Sequence, residues 1–424
     1  MMSNINNKKE ESLSRKYFKK LVLILMLVQI LDTYSTIFPG SIPSFIANEF
    51  LLGFSKEEQN SIMSFAGSIV SIGMYFLFFN QYLADKLGRK KMLAITVFGM
   101  GVATLGMFLS INYIMYMSFV FFLYFFFSSD IWLIYINEEA PSKKRAYYSN
   151  LLLTVGLIGS ILMVTSRILF VSEANPFWRG MTFVPMILGF SLTPIILTKL
   201  KESSRFLEIK DDLKKRSLIK DVKALFKVEN KRSFKVILIM SFCYGFSGVF
   251  MGLFEKYIAD IKALPQFSVS IIFLLTTFMV IIAYIVNGFL GDRIGRKPLL
   301  YLWAALLPLS VTLWTIGATI PENTFIIVLF SYSLTHISYW GLLGILRLIT
   351  IEILPTDKRG TGIGLRSLSG SIGGTVGLLV SSGLILIVGL GPTFIIVSLA
   401  NLILIPLGII FIKETKGVDL KFIK

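Results

Sequence analysis

The sequence predicts an all-α membrane protein with two six-helix bundles, because long apolar runs recur along a chain whose two halves share a motif. Of the 424 residues, 54% are hydrophobic and only 16% are charged, and the mean hydropathy is +0.74. Domains that fold in water carry about 25% charged residues. The motif Asp-x-x-Gly-Arg-Lys occurs once in each half, between two apolar runs. These observations indicate a polytopic membrane protein that arose by duplication.

Twelve apolar stretches are long enough to cross a hydrocarbon core of about 30 Å, which takes about 20 helical residues. The predicted spans 1 to 12 are 21–47, 59–82, 91–111, 113–137, 146–171, 177–198, 236–257, 267–290, 298–319, 324–353, 361–388 and 392–412. The predicted units are an N-terminal tail, a first bundle, a linker, a second bundle and a C-terminal tail, at 1–20, 21–198, 199–235, 236–412 and 413–424.

The distribution of charge between the connections predicts the orientation of the spans. The segment 199–235 carries 13 Lys and Arg against 6 Asp and Glu, whereas the connections after spans 3 and 11 carry no charge. Basic residues concentrate in cytoplasmic loops. We therefore expect both termini and this segment in the cytoplasm of a multi-pass cell-membrane protein. The formal charge of +17 is expected to face the anionic inner leaflet and not nucleic acid.

Within the linker, Leu218, Val222 and Leu225 recur at helical spacing, with charged residues between them. This pattern predicts an amphipathic helix on the inner membrane surface.

Two motifs are repeated at corresponding places in the two halves. Residues 84–91, Ala-Asp-Lys-Leu-Gly-Arg-Lys-Lys, recur as 291–298, Gly-Asp-Arg-Ile-Gly-Arg-Lys-Pro, and Glu-x-x-Pro-x-x-x-Arg occurs at 138–145 and 352–359. The first motif resembles the loop signature of the major facilitator superfamily, which lies between helices 2 and 3 and between helices 8 and 9. The resemblance implies a gating role for Asp85, Gly88, Arg89, Glu138, Arg145, Asp292, Gly295, Arg296, Glu352 and Arg359.

We expect the arginines of these motifs to pair with the carboxylates, Arg89 and Arg145 with Asp85 and Glu138 in the first half. We also expect Asp85 to lie beside the N-terminus of span 11, near residues 360–362, where free amides favour a carboxylate. Such contacts would join the bundles on the cytoplasmic side when the inner gate is shut.

A narrower resemblance rests on the tags that follow spans 6 and 12. These tags, Lys-Glu-Ser-Ser-Arg at 201–205 and Lys-Glu-Thr-Lys-Gly at 413–417, are similar to those of sugar porters and related metabolite and aromatic-acid proton symporters. Span 7 lacks the paired glutamines that bind hexose in sugar porters, and Arg347 replaces a tryptophan of span 10. The resemblance therefore implies proton-coupled transport of an organic acid or a polyol-like metabolite more than of a hexose.

Polar groups at membrane depth are the candidate functional residues, because burial there is costly. Asp32 lies twelve residues into span 1, about 18 Å from the cytoplasmic end, and is the predicted proton-coupling group. A structural hydrogen bond to a neighbouring hydroxyl is the alternative. Asp130 could join Asp32 in coupling, attract a cationic group, or pair with an arginine.

The predicted substrate-binding residues are Tyr34, His336, Tyr339, Trp340, Arg347 and Arg366. The two arginines would offer a guanidinium to a carboxylate, unless they extend to the membrane interface instead. His336 would line the substrate path or serve as a packing residue.

The predicted function is secondary active transport of a small organic solute by proton symport, without a cofactor. One histidine and one cysteine are too few for most metal or nucleophilic sites, so we expect no metal and no enzyme activity. The alternatives are proton-coupled efflux of organic cations and a non-transporting sensor with the same fold. We expect a monomer.

Overall fold

The computed structural model describes residues 2–127, 131–141, 144–172, 176–203, 206–207, 218–355 and 358–416, with side chains from Lys16 onward except at 146, 218, 219 and 221. The helices of the first half are α1 (Met2–Ile37), α2 (Pro43–Phe50), α3 (Lys56–Ser71), α4 (Phe76–Leu87), α5 (Arg89–Phe108), α6 (Tyr113–Phe125), α7 (Ile131–Glu139), α8 (Arg145–Phe170) and α9 (Phe183–Lys199).

The helices that follow are α10 (Leu218–Leu225), α11 (Lys231–Phe246), α12 (Phe250–Asp260), α13 (Gln266–Ile294), α14 (Arg296–Gly317), α15 (Thr324–Ile353), α16 (Arg359–Val388), α17 (Leu390–Ser398) and α18 (Leu404–Phe411). Strand-like pairing in the described residues is limited to one bridge, between Val171 and Pro176. The fold is therefore all-helical across the described part of the chain.

Eleven of the described helical stretches are long and apolar enough to cross a membrane. Some are composite, because short 3-10 turns join α3 to α4, α11 to α12 and α17 to α18. The predicted span 4 is divided into α6 and α7, and α6 is a shorter apolar helix. Large apolar side chains such as Leu169, Phe330 and Ile387 are 71%, 71% and 79% exposed, as expected of a surface that faces lipid.

Glycines end the helices at the two copies of the repeated motif. Gly88 and Gly295 have φ values of +105° and +106°, which L side chains rarely adopt, and each separates one helix from the next without a longer loop. We call the side of the protein that carries these turns the motif face. The opposite side, where α2 and α12 end, is called the far face.

The two halves pack against each other along two helix pairs. On one side α3 packs on α16, and on the other side α8 packs on α13. The seam between α3 and α16 is made by hydroxyls: Ser61 and Ser64 donate to the carbonyls of Ser382 and Leu378, at 2.8 and 2.7 Å. These bonds hold the halves together in the far half of the molecule.

Within the second half, α11 and α16 approach each other through glycines. A Cβ on Gly373 would lie 2.0 Å from the carbonyl oxygen of Phe242, and one on Gly377 would lie 2.3 Å from that of Phe246. The partners are backbone atoms that cannot rotate away. These glycines therefore determine how closely the two helices pack.

The linker helix α10 forms where the amphipathic pattern predicts a helix. Leu225 is fully buried, and a Cβ on Gly362 would lie 3.6 Å from its side chain. The last turn of α10 therefore packs on the first turn of α16. The sequence predicted a helix on the membrane surface and did not indicate this contact with the rest of the protein.

Gly373→Ala tests this packing. The added methyl collides with the Phe242 carbonyl, so we expect a loss of about 1–3 kcal/mol, seen as a lower apparent melting temperature in detergent. Gly383→Ala is the matched control, because Gly383 lies in the same helix and its Cβ would meet nothing within 4 Å. At that position alanine should be neutral or stabilising by up to about 1 kcal/mol. Equal melting temperatures for the two variants would contradict the packing argument.

Candidate functional site

A central cavity of 430 Å³ lies between the halves. It is bounded by α2, α3 and α6 from the first half and by α11, α12, α15 and α16 from the second. Its larger lining side chains are Met63, Met74, Tyr113, Tyr116, Met117, Tyr124, Tyr244, Tyr339, Leu343 and Arg366. Contributions from both halves are what a site needs if relative movement of the halves is to change access to it.

Arg366 is the one residue with a formal charge among the described residues that line the central cavity. It belongs to α16, and its side chain is 5% exposed. Nη2 donates to the hydroxyl of Ser367 at 3.2 Å, whereas Nε is buried and has no hydrogen-bond partner among the described residues. This guanidinium therefore retains unused donor capacity at the cavity wall.

Aromatic rings form the wall beside Arg366. The rings of Tyr244 and Tyr339 stack at 4.4 Å with an interplanar angle of 26°, and Phe250 meets Tyr339 edge-on at 5.5 Å. The Tyr339 hydroxyl also lies against Gly248, where a Cβ would come within 2.6 Å of it. Of the six predicted substrate-binding residues, Tyr339 and Arg366 line the cavity.

Two other predicted substrate residues are buried within their own halves and do not line the cavity. Tyr34 is fully buried within the first half and donates its hydroxyl to the carbonyl of Met181 at 2.7 Å. His336 is buried, its Nδ1 lies 3.1 Å from the carbonyl of Tyr332, and its ring lies 4.5 Å from that tyrosine's ring. Both side chains bond within their own half, away from the cavity lining.

Trp340 and Arg347 also lie outside the cavity lining. Trp340 is half-buried and meets Tyr339 at a ring distance of 6.0 Å, so it supports the cavity wall from behind. Arg347 is exposed. Of the predicted substrate-binding residues on α15, Tyr339 lines the cavity, and the remaining three do not.

The two predicted proton-coupling residues differ in what the structure describes. Asp32 is 2% exposed in α1, and its backbone carbonyl accepts a bond from Thr36 Oγ1 at 2.7 Å. The same stretch of α1 packs closely on α8, where a Cβ on Gly159 would lie 2.5 Å from the carbonyl of Ile30. Asp130 lies outside the described residues.

At the motif face of the first half, one arginine joins three helices. Arg89 is 4% exposed, and its guanidinium meets Glu138 of α7 at 2.9 Å and Asp85 of α4 at 2.8 Å. It also donates to the carbonyl of Ala84 at 2.8 Å. We call this group and its counterpart in the second half the motif clusters.

The second half repeats this cluster residue by residue. Arg296 meets Glu352 and Asp292, each at 2.8 Å, and donates to the carbonyl of Gly291 at 2.6 Å. Each cluster therefore connects helices of its own half and, among the described contacts, does not join the two halves.

The tags after α9 and α18 complete the motif clusters. Glu202 accepts the backbone N–H of Lys90 at 3.1 Å, and Glu414 accepts those of Arg296 and Lys297 at 2.8 and 3.0 Å. Each carboxylate thus caps the free amides at the start of a helix. The hydroxyls of Ser203 and Thr415 donate to Glu138 and Glu352. The repeat of the tags in the sequence was the signal that these residues share a structural role.

The structure changes the prediction for two of the motif arginines. Arg145 and Arg359 do not form the predicted ion pairs among the described contacts; they donate to the carbonyls of Ala140 and Leu354, at 3.4 and 3.1 Å. They cap the ends of the preceding helices, five residues back. Arg89 alone contacts both carboxylates of the first half among the described ion pairs.

The family model of the Major Facilitator Superfamily matches residues 21–346 and 236–423, which together span nearly the whole chain. The chain belongs to the major facilitator superfamily. It is therefore a multi-pass membrane transporter and not an enzyme. A search of curated proteins by sequence finds no match. Among the described residues, no three His, Cys, Asp or Glu side chains group as a metal ion would require.

Solved structures of transporters share the fold over most of the chain. A crystal structure of a D-xylose–proton symporter matches with a TM-score of 0.78 at 16% identity, covering 95% of this chain and 100% of that one. The xylose transporter of E. coli in its inward-open conformation gives a TM-score of 0.74 at 17% identity, with coverages of 95% and 98%. A mutant of the nucleoside transporter NupG gives 0.72 at 16%, with coverages of 94% and 100%.

Glu414 provides a test of the motif clusters. Burial raises the pKa of its carboxyl, but the backbone N–H groups that it accepts lower the pKa more, so it lies below the ordinary value of 4.5. A carboxyl with a depressed pKa in the folded state stabilises the fold at higher pH, and this contribution is lost as the pH falls through the folded-state pKa.

We therefore expect Glu414→Gln to lower the apparent melting temperature at pH 7 by more than at acidic pH, where the parent carboxyl is also neutral. Thermal unfolding in detergent from pH 7 down to the lowest pH at which the parent stays folded measures the difference. Glu322→Gln, at an exposed site between α14 and α15, is the control and should be neutral throughout. If the melting temperature of Glu414→Gln lies below that of the parent by the same amount at every pH, the carboxylate charge does not contribute to stability.

Proposed function

We propose that this transporter moves a small organic anion across the cell membrane by alternating access, with Arg366 as the receptor for the substrate carboxylate. The observation that carries the proposal is the buried guanidinium at the wall of the central cavity, with Nε unbonded and no carboxylate among the described lining residues. A buried charge without a counter-ion is costly, and a bound anion removes that cost.

The chemistry of the cavity suits a small acid. A guanidinium presents a planar fork of donors that matches a carboxylate. The hydroxyls of Ser367 and Ser371 and the rings of Tyr244 and Tyr339 line the same cavity, so the remainder of the solute would meet both polar and aromatic surface. The volume of 430 Å³ lies in the range of small-molecule sites.

We assign the motif face to the cytoplasm and count twelve spans, with α6 and α7 together as the fourth. The basic linker 199–235 begins at this face, next to Glu202, and the positive-inside rule places such segments in the cytoplasm. The bonds between the halves described above lie in the far half. On this assignment the protein is closed to the outside and faces inward.

Asp32 is the proposed proton-coupling residue. It is a buried carboxyl in α1, which is followed by Pro39 and Gly40 at the cavity wall, and ionisable groups at membrane depth are functional candidates. One of the solved structures that share the fold is a D-xylose–proton symporter. Import driven by the proton gradient is therefore the proposed direction.

Efflux of organic cations is the second candidate from the sequence. It would need negative charge facing the cavity, and the described lining offers the positive charge of Arg366 instead. Uptake by purified protein in proteoliposomes, with a panel of labelled acids, polyols and cations under an imposed pH gradient, distinguishes the candidates. Accumulation of cations but not acids would overturn the proposal, and no transport of any class would favour a sensor.

Arg366→Gln should weaken the binding of acidic solutes more than the binding of neutral ones. Loss of one charge-assisted contact costs about 1.5–3 kcal/mol, so the half-saturation concentration for a carboxylate should rise about tenfold or more, with a smaller change for neutral solutes. Concentration-dependent uptake into proteoliposomes measures both. Arg232→Gln, which removes an arginine stacked on Phe411 at 4.8 Å, is the control. If the half-saturation concentrations of acids and neutral solutes rise equally, Arg366 has a structural role.

Asp32→Asn should abolish accumulation against a concentration gradient and leave substrate exchange largely intact. The amide keeps the size of the carboxyl and most of its hydrogen bonding, but it cannot carry a proton. Uptake driven by an inward proton gradient and counterflow at equal pH, measured on the same vesicles, separate the two activities. Accumulation at the parent level by the variant would rule out Asp32 as the coupling group.

A further inference from the structure

The far face contains a buried ion pair that connects the two halves. Arg167 in α8 and Glu255 in α12 are both 0% exposed, and Nη2 of the arginine lies 3.5 Å from Oε1 of the glutamate. Neither residue belongs to the repeated motifs or lines the central cavity. We call them the gate pair.

Each member of the gate pair is bound mainly by the opposite half. Glu255, in the second half, accepts the backbone N–H and the hydroxyl of Ser44 in α2, at 2.8 and 2.5 Å. Arg167, in the first half, donates from Nη1 to the carbonyl of Gln266 at 2.8 Å and to the hydroxyl of Ser270 at 2.5 Å. Its Nη2 also donates to the side-chain oxygen of Gln266.

One hydrogen bond fixes the arginine in its own half, and a ring of the opposite half lies beside its guanidinium. Nε of Arg167 donates to the carbonyl of Ser41 at 2.9 Å, and its guanidinium lies 5.7 Å from the ring of Phe273. The bonds therefore cross the interface between the halves in both directions. Moving the halves apart at this face would break the ion pair and the cross-half hydrogen bonds of both charges at once, and would leave Arg167 bonded to Ser41.

A second charged group at the far face supports the same interface. Asp260 at the end of α12 pairs with Lys256 of its own half, and its Oδ2 accepts from Asn60 Nδ2 in α3 at 2.8 Å. Lys56 also donates to the backbone carbonyl of Asp260. Here Asp260 is already paired with a lysine of its own half, so the bonds that cross the interface from Asn60 and Lys56 add to a charge that is compensated.

The gate pair is not repeated by the duplication. Arg167 corresponds to Ser381, because each follows by 22 residues the arginine that begins its helix. Ser381 is fully buried, and the seam on that side of the molecule consists of hydroxyl bonds such as Ser71 to Thr375 at 2.6 Å. One of the two equivalent helix interfaces is therefore neutral, and the other is charged.

We propose that the Arg167–Glu255 pair is the gate of the far face, so that its separation is a required step of the transport cycle and its strength sets the balance between the two access states. Opening the far face would expose both charges to water, whereas closing it buries them against each other. Removing one charge therefore leaves an uncompensated buried charge in the closed state only. The population should shift toward the open state, since only the closed state is destabilised.

The gate can be tested by distance measurements across the far face. Leu52, 74% exposed between α2 and α3, and Ile320, 42% exposed between α14 and α15, would be changed to cysteine and spin-labelled in a Cys243→Ser background. In the otherwise unchanged protein we expect a short distance, with the far face closed. Glu255→Gln and Arg167→Gln should each raise the open-to-closed ratio at least tenfold.

A matched control comes from a second ion pair at the same face. Arg179 meets Glu49 at 2.6 Å and donates to the carbonyl of Phe108 at 3.0 Å, and all three residues belong to the first half. Glu49→Gln should therefore leave the label distances unchanged. Parent-like distances in both gate variants, or equal widening in the control, would overturn the proposal.

Where a single gate variant does not fold, the double variant Arg167→Gln/Glu255→Gln decides, because it leaves no buried charge uncompensated. Its hydrogen bonds across the interface lose their charge assistance, so the closed state should still be weakened. A widened distance distribution in this variant supports the gate, and the parent's distribution contradicts it. The label distances do not depend on the identity of the substrate. Failure of this test therefore leaves the proposed function intact, and failure of the Arg366 test leaves the gate intact.

Discussion

A charge inside this molecule has to be matched on a neighbouring helix, and that requirement organises the structure. Burial of a guanidinium or carboxylate away from water costs several kcal/mol unless hydrogen bonds and an opposite charge compensate it. Arg89 and Arg296 show full compensation, with two carboxylates and a backbone carbonyl each. Because these partners lie on different helices of one half, the clusters hold each half together as a unit at the motif face.

Three buried arginines differ in how completely they are matched, and the difference corresponds to three roles. Arg89 has all its described ion-pair partners in its own half. Arg167 is matched by the opposite half, so its bonds must break when the halves separate at the far face. Arg366 faces the cavity with a donor unused, which leaves room for a ligand. Strong bonds within the halves and separable bonds between them are what alternating access requires.

Packing sets the limits within which such a movement takes place. The glycine contacts between α11 and α16 hold those helices at backbone distance, so they are expected to move together. The neutral hydroxyl seam between α3 and α16 and the charged one between α8 and α13 are the surfaces that would change. A weak neutral seam tolerates sliding, whereas a buried ion pair resists partial opening, because a half-separated pair has lost its partner without gaining water.

The sequence by itself determined the all-helical membrane fold, the duplication and the membership of the superfamily, because helix length, apolar content and motif spacing are local properties. It also singled out Tyr339 and Arg366, which line the cavity. The tertiary structure alone decided that Tyr34, His336 and Arg347 lie elsewhere, since the direction of a side chain depends on which neighbours cover each helix face. The gate pair likewise could not be predicted from the sequence. Arg167 and Glu255 lie on helices from different halves, and only packing brings them within 3.5 Å.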